Sequence, residues 1–155
     1  IKTMKSENYA IIYKTTTVYE GTAYELETTY AVSGDSIAMA SADRATVVKD
    51  DRVYMMNHTD RTIIGWDVGD KDDNLRRIDT QGMVFAGSRK EGGLVCEAYT
   101  ASSASFKLYF KGEELVKMTM EPANGQDMIM DIVKVDKEAP DSLFEVPPGY
   151  AATNL

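Results

Sequence analysis

The chain has 155 residues with a formal net charge of −8, 43% hydrophobic and 27% charged side chains, and a single cysteine. This is enough for one domain with a real core, and the composition excludes a disordered chain or an all-apolar membrane protein. The negative balance disfavours a nucleic-acid partner, and a lone Cys96 excludes an internal disulfide.

The first residues, "IKTMKSENY", place Ile1 and Met4 at i, i+3 spacing. This pattern predicts the last turn of an amphipathic helix whose beginning lies upstream. The absence of an initiator methionine fits a trimmed, exported protein. From Asn8 onward the period changes to two. "YELETTYAV" sets Tyr24, Leu26, Thr28, Tyr30 and Val32 on one face and Glu25, Glu27, Thr29 and Ala31 on the other, the pattern of a half-buried strand. Further strands are expected in "SIAMASA", "ATVVK", "RVYMMN", "RTIIGW", "MVFAG", "GLVCEAYT", "SFKLYF", "ELVKMTM" and "DMIMDIVKV". Turn signals separate them at Ser33-Gly34-Asp35, Asp50-Asp51, His58-Thr59-Asp60, Lys111-Gly112-Glu113 and Asn124-Gly125. The expectation is an antiparallel meander. One polar stretch, 67–82, breaks the pattern. It reads as a short helix or lid around 70–81, or equally as a disordered excursion.

The Asn124-Gly125 hairpin has two registers. An even loop opposes Met120 to Ile129 and splits the methionines between faces. An odd loop opposes Met120 to Met128, Met118 to Met130 and Val116 to Ile132, and collects Lys117, Thr119, Glu121 and Asp131 on a solvent face. A slip of one residue inverts every side chain, so consistency of charge selects the odd loop and a methionine-lined inner face.

Catalytic groups are scarce. His58, the only histidine, lies in a turn remote from Cys96, and Cys96 alternates with Leu94 and Ala98 as a small buried residue. The acid pairs Asp50-Asp51 and Glu113-Glu114 sit in hairpin turns, where solvation opposes the shifted titration that acid catalysis needs. Asp70, Asp72 and Asn74 have the spacing of half a calcium loop, but Leu75 and Gln81 replace the turn glycine and the closing glutamate. No enzyme, cofactor or metal site is expected. Asn57-His58-Thr59 matches the glycosylation sequon formally.

What remains is an inventory of nine methionines and nine tyrosines. Methionine fills adaptable apolar space and tyrosine presents a greasy ring with a wet tip. On the hollow side of a bent sheet, Leu26, Tyr30, Met39, Met55, Trp66, Phe106, Phe110, Met118, Met120, Met128 and Met130 would line a site for a hydrophobic ligand. The alternative is an ordinary core closed by the chain itself.

The order of motifs resembles the bacterial lipoprotein-carrier-like superfamily of the LolA/LolB type, especially its small uncharacterised secreted members. The resemblance lies in Val53-Tyr54 before a turn, Asp60-Arg61-Thr62 after it, and the closing Asp141, Leu143, Phe144, Pro147, Gly149 and Tyr150. It implies one domain over 1–155, a mainly β fold with a single strongly curved antiparallel sheet in an unclosed barrel, and a short N-terminal helix remnant. The closing segment would tuck Leu143 and Phe144 against the sheet, with Pro147 and Pro148 ending the ladder and Gly149 laying Tyr150 down. The implied role is extracytoplasmic: a secreted or lipid-anchored, non-enzymatic protein that takes a hydrophobic small molecule or a lipoprotein acyl chain. An envelope sensor meeting a protein partner is the alternative; neither nucleic acid nor a membrane span is implied. The carriers' arginine and aromatic arrangement finds no match here, which leaves ligand transport an analogy of fold.

Overall fold

The computed structural model describes residues 7–68, 83–101, 104–122 and 127–154. The N-terminal helix remnant, the lid or helix around 70–81, the calcium half-loop and the Asn124-Gly125 turn lie outside them. The protein is mainly β, and its twelve strands form one sheet in the linear order β12-β6-β5-β4-β3-β2-β1-β11-β10-β9-β8-β7, not closed into a barrel. The strands are β1 Asn8–Tyr19, β2 Thr22–Ser33, β3 Ser36–Ala40, β4 Arg44–Lys49, β5 Arg52–Asn57 and β6 Thr62–Asp67. They continue as β7 Val84–Glu91, β8 Leu94–Thr100, β9 Ala104–Lys111, β10 Glu114–Pro122, β11 Met128–Asp136 and β12 Ala151–Asn154. The long β1 and β2 strands are divided between two compact units.

The first unit comprises, among described residues, 7–11, 28–68 and 136–154. Its antiparallel ladder has short turns. Asp50 and Asp51 both take positive φ, 52° and 57°, which is what a two-residue hairpin between Lys49 and Arg52 requires. Cross-strand partners define the two faces. One row runs Ala31, Ala38, Val47, Tyr54, Gly65, and the next runs through Ala40, Ala45, Met56 and Ile63. Small residues make this face shallow, and the C-terminal segment lies on it. A 3-10 helix, Asp141–Phe144, brings Phe144 into a buried cluster with Ala10, Ala31, Ala38, Val47, Met56, Ile63 and Ala139. Leu143, Val146 and Tyr150 pack around that cluster.

Two expectations about the tail meet different outcomes. Leu143, Phe144 and Tyr150 do dock, and Gly149 turns with φ of +82° beside Arg61. The ladder does not end at Pro147 and Pro148, however. The chain resumes as β12, which pairs in parallel with β6 from Ala151↔Thr62 to Asn154↔Gly65. The two prolines span only the crossing, and the backbone donors beyond them are free to rejoin the sheet. The sheet is thus antiparallel except at this edge.

The second unit contains the described residues of 12–27 and 79–135. Glu20 and Gly21, with φ of 50° and 79°, turn β1 into β2. In the β10–β11 pair, Met120 opposes Met128, Met118 opposes Met130 and Lys117 opposes Asp131, the register that charge consistency selected. A bulge between Leu115 and Lys117 interrupts the β9–β10 ladder. Strand β7, expected next to β6 in a simple meander, instead ends the sheet at the opposite edge from β12.

Two stability measurements check this packing. Ala38 is buried on a strand that contacts the 3-10 helix; Ala38→Leu overfills the interface and costs about 1–3 kcal/mol in denaturant unfolding. Asp51→Gly removes a side chain from a left-handed backbone and raises stability by about 1 kcal/mol; an unchanged or lower midpoint would contradict the turn geometry.

Candidate functional site: apolar sheet faces

Alternation along the strands of the first unit puts Tyr30, Met39, Met55 and Trp66 on the face that the tail does not cover. In the first unit one row reads Tyr30, Met39, Thr46, Met55, Ile64, and the next reads Val32, Ile37, Val48, Val53, Trp66. Val32 and Val53 are fully buried and Trp66 is half-buried. Tyr30 is buried against Tyr9, ring centroids 6.3 Å apart. Met39 and Met55, each 46% exposed, and Ile64, 42% exposed, form a solvated apolar strip from β3 to β6 that Thr46 of β4 interrupts. Ile64 was not among the expected residues, although its alternation with Ile63 already assigned it to this face.

The second unit contains the other expected residues in three rows. Val95, Phe110 and Leu115 align in one. Glu97, Leu108, Met118 and Met130 make the second; Leu108, Met118 and Met130 are buried. Phe85, Tyr99, Phe106, Met120 and Met128 make the third, which crosses all five strands from β7 to β11. In it Phe106 is buried, Tyr99 and Met120 are half-buried, and the ends are open, with Phe85 56% and Met128 41% exposed. Phe85 meets Tyr99 edge-on at 5.6 Å. Leu26 lies apart from these rows, on β2, and is exposed.

A carboxylate interrupts this greasy surface. Glu97 is the cross-strand partner of the fully buried Leu108, and Tyr99 donates its phenolic hydroxyl to Glu97 Oε2 at 2.6 Å. Such shortness marks a charge-assisted bond. Burial first, then the bond to Glu97, hold the Tyr99 phenol far above the usual tyrosine range. The alternation that sets Cys96 on one face with Leu94 and Ala98 puts Glu97 and Tyr99 on the other, but their contact depends on side-chain reach that the sequence does not show.

The opposite face of the second unit is polar. Arg89, Cys96, Tyr109, Lys117 and Asp131 align across it. Cys96 is buried, as its alternation suggested, and burial followed by its hydrogen bond to Cys96 raises the Tyr109 pKa. The Lys117 ammonium lies 4.9 Å from the Tyr109 ring centroid. His58 proves more than a solvated turn residue. Its Nδ1 lies 2.9 Å from the Tyr150 hydroxyl, and the Arg61 guanidinium lies over the Tyr150 ring, 5.7 Å from its centroid. These contacts clasp the tail where Ala151 N–H donates to Arg61 C=O. The sequon residue Asn57 serves the same turn, its Oδ1 accepting from the backbone of Thr59 and Asp60. Among the described residues no acidic, histidine or cysteine group has metal-holding geometry, and no helix is long and apolar enough to cross a membrane.

No protein-family model and no curated protein matches the chain. Among solved structures, an uncharacterized conserved protein from Thermus thermophilus is similar over 100% of this chain and 94% of its own, with TM-score 0.61 and 9% identity. That likeness establishes a shared fold. A LolA superfamily protein from Nitrosomonas europaea aligns over 92% of this chain and 91% of its own, with TM-score 0.46 and 9% identity. PNGF-II aligns with TM-score 0.45 and 12% identity, and this chain spans 31% of its length.

The Tyr99–Glu97 pair has a pH signature. A phenol whose folded pKa is raised stabilises the fold fully below the free value near 10, and that contribution is lost as pH climbs toward the folded value. Wild type and Tyr99→Phe therefore show the same phenolate absorbance up to about pH 11, whereas Glu97→Gln lets Tyr99 ionise earlier than in wild type. Early ionisation of Tyr99 in the wild type would refute the buried pair.

Proposed function

We propose that this chain is a non-enzymatic, extracytoplasmic binding protein that takes a hydrophobic ligand, an acyl chain of a lipid or lipoprotein, on an apolar sheet face. One observation carries the reading: the five-strand row of the second unit has buried Phe106 as its floor and leaves Phe85 and Met128 at its ends open to solvent. Single exposed apolar residues are ordinary, but a continuous row with a buried floor has the form of a ligand surface. Flexible Met120 and Met128 suit chains of varied length, since thioether side chains repack at low cost. The resemblance of the closing motif to lipoprotein carriers points the same way, toward the cell envelope.

A second reading, an envelope sensor or interaction module, is favoured by the Met39, Met55 and Ile64 strip of the first unit. An exposed apolar strip on a sheet face suits a protein partner more than an enclosed chain.

Native mass spectrometry of protein purified from cells, followed by displacement of an uncharged fluorescent acyl ester, separates the readings. Met128→Glu lowers probe affinity several-fold and changes stability by less than about 0.5 kcal/mol; Met55→Glu leaves the probe bound. Absence of both co-purified lipid and probe binding sinks the ligand reading. Loss of a captured envelope partner in Met55→Glu alone supports the module instead.

A further inference from the structure

We propose that the row from Phe85 to Met128 binds a long-chain amine, its ammonium head on Glu97 and its alkyl chain over Phe106, Met120 and Met128. This rests on the reading of that face as a ligand surface and adds the head group. The reasoning begins with cost. Glu97 is half-buried as the cross-strand partner of fully buried Leu108, and a charged group that gives up part of its hydration persists where partners offset the loss. Tyr99 supplies one hydrogen bond, to Oε2. A carboxylate accepts at both oxygens, through about four lone pairs, so one phenol leaves capacity for a further donor.

The sign of the charge selects the ligand. A fatty acid or phospholipid head brings negative charge and would meet Glu97 as a like charge. An ammonium brings three donors and the opposite charge, and it would share the carboxylate with Tyr99. The cations nearest in register are placed elsewhere. Arg89, Lys107 and Lys117 belong to the opposite, polar face, and Arg89 and Lys107 are engaged by Glu91 and Glu121. Lys90 shares the apolar face but is exposed opposite Val95, one row outward from Glu97. The net charge of −8 also enriches cationic over anionic amphiphiles near the surface. From Glu97 on β8 to Met128 on β11 the face crosses three strand intervals, about 14 Å. That is room for an extended alkyl chain.

The test is calorimetric titration of the full chain with dodecylamine and dodecanoate below their micelle concentrations and with dodecanol below its solubility limit. Dodecylamine is expected to bind about tenfold or more tighter than dodecanoate, the size of one charge-assisted hydrogen bond. Glu97→Gln removes that preference, while Tyr99→Phe, which keeps the ring and frees the carboxylate, retains or increases it. Equal affinity for all three amphiphiles, or a preference that survives Glu97→Gln in a folded variant, overturns the head-group assignment and leaves the hydrophobic surface standing. Binding of none of the three overturns both.

Discussion

The docking of the segment from Ala139 to Tyr150 onto a lane of small residues is the interaction on which the first unit depends. A strand has two faces, and covering one decides what the other must do. Ala31, Ala38 and Ala45 leave room for Phe144 and Leu143 to approach the sheet. Burying one phenylalanine contributes about 1.5–3 kcal/mol, which is matched by the cost of ordering two backbone residues at about 1–2 kcal/mol each. Phe144 alone therefore cannot hold the segment. It is held by distributed anchors: Ala139 N–H donates to Asn8 Oδ1 at 2.7 Å, Tyr150 meets His58 and Arg61, and β12 closes on β6. Pro140, Pro147 and Pro148 lower the cost by restricting the unfolded chain.

With small residues committed to the tail, the large ones are displaced to the alternate positions. Tyr30, Met39, Met55, Ile64 and Trp66 lie on the other face because Ala31, Ala38, Tyr54, Ile63 and Gly65 take the covered one. The second unit obeys the same parity. Phe106, Leu108, Met118 and Met130 share one side, and Cys96, Tyr109 and Lys117 the other. Apolar character and exposure coincide at the row ends, where neither neighbouring rows nor the turn polarity can hide Phe85 and Met128.

Much of this was legible in the chain because parity is local. The pairing of Met118 with Met130 could be deduced from Lys117 and Asp131 alone, since a slip would have buried both charges. The strands around "RVYMMN" and "RTIIGW" and the turns between them follow from spacing. The edges were illegible for a different reason. "AATN" has little β propensity and pairs through backbone with a strand far earlier in the chain, so nothing in its side chains announces it. His58 and Tyr150 are 92 residues apart, and their contact exists only once the tail has crossed the sheet. Glu97 was hidden by its own neighbours, because the bulge near Gly87 and the cross-strand partner Leu108 are properties of pairing, not of "GLVCEAYT".

On the proposed ligand reading, the position of Glu97 also separates the two tasks of such a face. Methionine and phenylalanine provide affinity roughly in proportion to area and discriminate poorly between one chain and another. A single half-buried charge adds little area but penalises every ligand whose head cannot answer it. Tyr99 sharpens that penalty: its hydroxyl anchors the carboxylate and, by keeping its own proton, adds no second negative charge to the surface. On that proposed reading, chain capture and head selection reside on nearby strands, with the methionines of β10 and β11 serving the first and the Glu97–Tyr99 pair of β8 the second.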